Sequence, residues 1–184
     1  MLINNHNDKT NNVIIYFVES TKFCGKTKLF KLIYFLDFEH FSRTGKSVTG
    51  LDYFAWPKGP VPVELFEKIN QKDDSLTKDV SLSEKIAANG KRMNVFEPKS
   101  TFDPKLFSKR ELSIMQALAE EYSNSYADNM IEATHLENLP WHQIYEVEDK
   151  KQELIPYELS LKKGEFELAK SLAIENREFV SNYK

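Results

Sequence analysis

The sequence holds one cysteine, Cys24, so no disulfide can form within the chain. That fits a reducing compartment, and a cytoplasmic location is the expectation. Basic excess is also missing: 25 Lys and Arg stand against 28 Asp and Glu, for a net charge of −3. A dedicated nucleic-acid-binding domain ordinarily presents a strongly basic face, so DNA or RNA is not the expected partner. The longest early apolar run, Val13 to Val18, is far too short to cross a bilayer. Met1 to Asn12 is mostly polar and lacks a signal-peptide pattern. No membrane contact is expected. No internal repeat, low-complexity tract or linker divides the 184 residues, which suits one domain spanning 1–184.

What is present is a globular balance, with 41% hydrophobic and 29% charged residues and an aromatic-rich set of 13 Phe and 8 Tyr. The periodicity predicts a helix from about Lys9 to Glu19, broken at Cys24-Gly25. A second helix runs from about Lys26 to Ser42 and stops before Gly45. At 100° per residue, Lys28, Lys31, Glu39, Ser42 and Arg43 gather on one side of it, and Phe30, Ile33, Tyr34 and Phe41 on the other. The side with the lysines reads as a narrow wet stripe. Asp37 falls inside the apolar sector, where a carboxylate is costly unless it is hydrogen-bonded. The Trp56 indole, a tyrosine hydroxyl or loop amides are its candidate partners.

Leu51 to Trp56 reads as a short strand, followed by a rigid loop over Pro57 to Pro62 and a helix opened by Pro62. Val80–Leu82 and Met93–Phe96 read as two strands around a turn at Asn89-Gly90-Lys91. With the piece at Tyr53 they suggest an antiparallel sheet of about three strands. Ser108 to Glu111 is a capping box opening a helix. Another helix leads from Ser125 to Thr134-His135, a short one begins at Pro140-Trp141, and a last one covers about Glu165 to Tyr183. The fold class is α+β, mostly helical, with a small antiparallel sheet.

No catalytic motif stands out. His135 and His142 with Glu132 and Glu137 match no standard zinc spacing, so Thr134 and His135 read instead as a helix end. Cys24 with His40 or His135 has the residue types of a nucleophile and base, but no local signature surrounds the cysteine. Gly25-Lys26-Thr27 lacks the first glycine of a phosphate loop, since position 20 is Ser20. No cofactor, no metal and no turnover are expected. Lys28, Lys31 and Arg43 form a basic stripe, read either as solvated surface or as contact with an acidic partner. Trp56 reads either as a core residue under its proline loop or as a partner anchor.

Two stretches carry a resemblance. One is Lys28-Leu29-Phe30-Lys31-Leu32-Ile33-Tyr34-Phe35-Leu36-Asp37, continuing through Phe54-Ala55-Trp56-Pro57-Lys58-Gly59-Pro60-Val61. The other is Glu132-Ala133-Thr134-His135 with Pro140-Trp141. Over roughly 13–145 the chain resembles the Panacea (SocA-like, phage-associated) antitoxin family of bacteria, with Pro57 as a departure from its pattern. The resemblance implies that Lys31, Tyr34, Asp37, Trp56, Gly59, Pro60, Thr134, His135 and Trp141 have structural or partner-binding roles. It implies an antitoxin that binds a cognate toxin protein directly, the toxins being unrelated to one another. Delivery of the toxin to a cellular protease and binding to its own promoter DNA are the alternatives.

Overall fold

The computed structural model describes residues 2–86, 90, 92–136 and 139–161. The helix expected over Glu165–Tyr183 lies outside them, as do Asn89, Lys91 and Glu137. The expected fold class holds: helices dominate, with small antiparallel strand pairs beside them.

Helix α1 (Leu2–Ser20) begins earlier than its apolar stripe suggests. Its second half buries Val13, Ile14, Ile15 and Phe17 completely. Gly25 precedes α2 (Lys26–Thr44), and Gly45 ends it in the left-handed region at φ 69°, its N–H reaching Phe41 O at 2.8 Å. A residue with a Cβ would be strained there, so the helix stops where glycine permits it. Helix α2 is buried almost all round, as an apolar central helix must be. Helices α1, α5 (Lys109–Glu121) and α6 (Ala127–Thr134) pack on it.

Strands β1 (Tyr53–Trp56) and β2 (Gly59–Pro62) form a tight hairpin, with Trp56 opposite Gly59 and Tyr53 opposite Pro62. Pro57 takes the first turn position, which its fixed φ suits, so Trp56 still completes its strand. The rigid loop expected over Pro57–Pro62 is therefore a two-residue turn and a strand. Pro62 does not open the helix; it is extended at ψ 94° and caps α3 (Val63–Gln71). The one-turn α4 (Asp74–Thr77) follows, capped by the Asp73 carboxylate on the Ser75 N–H at 2.9 Å.

Among the described residues, strands β3 (Val80–Ile86) and β4 (Arg92–Pro98) pair only with each other. The single three-stranded sheet is thus corrected to two hairpins. The reason lies on the free edge of β1, which is already occupied. There Ala55 N–H donates to Glu153 O at 2.9 Å, Gln152 N–H to Ala55 O at 2.8 Å, and Ile155 N–H to Tyr53 O at 2.8 Å. With one edge on β2 and the other on 152–155, β1 has no ladder left to offer the second hairpin.

The capping box at the start of α5 is complete, with Glu111 N–H on Ser108 Oγ at 3.2 Å and Ser108 N–H on Glu111 Oε2 at 2.7 Å. Lys9 from α1 pairs with the same carboxylate at 2.6 Å. The short α7 (Pro140–His142) runs into a π-type turn over Gln143–Val147, and a 3₁₀ turn spans Tyr157–Ser160.

Candidate functional site

Helix α2, the β1–β2 hairpin and the α6–α7 connection converge on one buried region. Each contributes residues singled out in the sequence. Asp37 is fully buried. Its Oδ1 accepts the backbone N–H groups of Val48 and Thr49, both at 2.8 Å. Its Oδ2 accepts the Tyr53 hydroxyl at 2.7 Å and the Thr49 hydroxyl. The Tyr157 hydroxyl stands 3.4 Å away and donates its better bond to Leu51 O, at 2.5 Å. A tyrosine and loop amides are thus the partners; the Trp56 indole is not. Burial pushes the Asp37 pKa up, and these donors oppose that shift.

Six residues earlier on α2, the buried Lys31 ammonium donates to Pro60 O at 2.8 Å. Burial alone lowers its pKa to about 7. Gly59 makes this approach possible. It sits at φ +93°, and a Cβ there would lie 2.6 Å from Thr134 Oγ1 and 2.8 Å from Lys31 Nζ. The hairpin, α2 and α6 therefore meet at a point with room for a hydrogen only. Thr134, the last residue of α6, turns its hydroxyl to Ile131 O at 2.9 Å.

His135 stacks flat on Trp141, with ring centroids 3.7 Å apart and 4° between planes, and Trp141 stacks in turn on Tyr145. The Trp141 indole N–H donates to Trp56 O at 3.0 Å, tying α7 to the hairpin. Burial lowers the His135 pKa first, and the Lys31 charge lowers it further. Its Nε2 is buried without a hydrogen-bond partner among the described residues. The Tyr34 hydroxyl is likewise buried without a well-formed bond; the Trp141 backbone N–H approaches it, while burial raises its pKa. Trp56 itself is half-buried, edge-on to Phe66 with centroids 5.2 Å apart.

The basic stripe is corrected. Lys28 and Lys31 are buried, at 0% and 1% exposure. The Lys28 ammonium donates to three backbone carbonyls, Lys22 at 2.8 Å, Tyr122 at 2.6 Å and Ser125 at 2.9 Å. All three of its protons are thereby used. Only Arg43 is exposed, paired with Glu39 one turn back. Lysine stems long enough to reach under neighbouring loops turned a polar helix face into an internal one.

The rejected chemistries gain no geometry. Cys24 and His40 flank opposite ends of α2, separated by about 24 Å of helix rise, and burial raises the thiol pKa to about 11. Among the described residues no group of three or more His, Cys, Asp or Glu is placed to hold a metal ion. No described helix is long and apolar enough to cross a membrane.

Residues not singled out in the sequence also carry the region. Thr49 and Tyr157 complete the Asp37 cluster, yet neither lies in a recognisable pattern. None of the curated proteins or solved structures compared with the chain matches it. A family model does, over residues 29–142, with the description antitoxin SocA-like, Panacea domain. Those residues span Lys31, Asp37, the hairpin, Thr134, His135 and Trp141, and the chain belongs to the antitoxin SocA-like, Panacea domain family.

Proposed function

We propose that this chain is an antitoxin that neutralises a toxin by direct protein–protein contact, without catalysis. The observation that carries the reading is the family match over 29–142. The geometry agrees with it in one respect. The buried motif residues spend their polar groups chiefly on the fold itself, as Asp37 does on the 48–53 segment and Lys31 on the hairpin. A motif used up in this way maintains a scaffold and leaves the outer surface free to vary with the partner. Occlusion of a toxin needs a patch of roughly 800 Å² on each partner and no reacting group. Delivery of the toxin to a protease is the second reading, and a net charge of −3 argues against regulation of its own promoter.

The test is co-expression with the product of the adjacent reading frame. Growth should be rescued, and the two proteins should copurify. A non-toxic neighbour, or a toxic one that is neither bound nor rescued, would overturn the assignment.

A further inference from the structure

A cleft of about 290 Å³ opens between α2, α5, the start of α7 and the 159–160 segment. Phe35, Phe38, Leu118 and Tyr122 give it an apolar, mainly aromatic lining. Phe35 and Tyr122 lie parallel, with centroids 5.6 Å apart. Among the described residues, the only charged groups along its lining are two carboxylates, Glu39 and Glu121. Glu39 has the exposed Arg43 as partner, whereas Glu121 stands next to the Tyr122 hydroxyl and has no ion pair among the described residues.

The volume falls just below the range of small-molecule sites, about 300–1,000 Å³, and suits a single large side chain. An apolar pocket of that size with a charged edge has the anatomy of a binding hot spot, in which an anchor enters and a polar rim surrounds it. Two carboxylates beside stacked aromatic rings favour a cation twice over, by charge and by the ring faces.

We propose that this cleft seats the toxin: one apolar or aromatic side chain of the toxin fills it, and a neighbouring lysine or arginine meets Glu39 and Glu121. The proposal rests on the antitoxin reading and adds to it a contact surface and the chemistry of the partner's segment.

The experiment uses the purified full chain and the purified product of the adjacent reading frame. Amide hydrogen exchange of the wild-type chain should slow over 118–125 when the toxin is added. Glu39→Lys with Glu121→Lys should weaken binding by about tenfold or more, the scale of one well-made charged contact. Ser42→Trp, which fills the cleft, should weaken it similarly. Melting by circular dichroism separates these losses from unfolding. A Lys→Glu or Arg→Glu change in the toxin segment should restore binding to the double charge variant. Wild-type binding with no slowed exchange over 118–125, or folded variants that bind as tightly as wild type, would overturn the cleft and leave the antitoxin reading standing. No binding by the wild-type chain would overturn both. Self-association abolished by Ser42→Trp would assign the cleft to a second copy and overturn the proposal.

Discussion

Replacing Asp37 by alanine should cost at least about 4 kcal/mol, enough to unfold a chain of ordinary stability in part at 37 °C. The side chain is fully buried and accepts two backbone N–H groups and the hydroxyls of Thr49 and Tyr53. Removing it leaves four donors without an acceptor. Each buried orphan costs about 1–3 kcal/mol, and their sum sets the estimate. The midpoint of thermal unfolding should fall by about 10 °C or more, at 2–4 °C per kcal/mol for a chain of this size. Asp37→Asn should cost clearly less, because its carbonyl still serves the Val48 and Thr49 amides and both hydroxyls can turn to accept. Equal midpoints for wild type and Asp37→Ala would show that the cluster contributes nothing.

Lys28→Met should cost about 2 kcal/mol or more. The ammonium joins the carbonyls of Lys22, Tyr122 and Ser125, two of which lie more than 90 positions away in the chain. Tyr122 caps the C-terminus of α5, where the helix dipole also favours a cation. Methionine fills the same volume but takes the donor from three partly buried carbonyls, of which, among the described residues, Tyr122 O alone keeps another partner, the Ser125 N–H at 3.2 Å. Lys22→Met, an exposed change on the same loop, should shift stability by under about 0.5 kcal/mol. The clamp also fixes the two loops that present the exposed stacked pair Phe23 and Tyr126, with centroids 4.4 Å apart. Loss of that stack should accompany the drop in stability, visible in near-ultraviolet circular dichroism. A Lys28→Met midpoint matching that of Lys22→Met would refute the clamp.

The two lysines show where the sequence could and could not be read. Asp37 was legible because a carboxylate inside an apolar sector has few ways to survive burial. Lys28 and Lys31 were misread because periodicity places a Cα on a face, and says nothing of a loop that later covers it. Their acceptors are main-chain carbonyls at 22, 60, 122 and 125, and any residue type supplies a carbonyl. The same limit explains the sheet. The strand segments 51–56, 80–82 and 93–96 were visible from their Val, Phe, Tyr and Trp residues. The segment 152–155 that fills the edge of β1 has no such pattern, and its pairing is purely main-chain. The Ser108 capping box and the Gly45 stop were legible because both are local. The cleft at Glu39 and Glu121 was not, since it exists only once α2, α5 and the 139–140 and 159–160 segments have met.

The central claim is neutralisation by occupancy, and a titration of toxin activity against purified chain tests it most directly. The account predicts that activity falls in proportion to the chain added, reaching zero at a fixed stoichiometric ratio and staying constant with time at each ratio. Substoichiometric chain that extinguishes the toxin progressively, or a molar excess that leaves it active, would contradict the account.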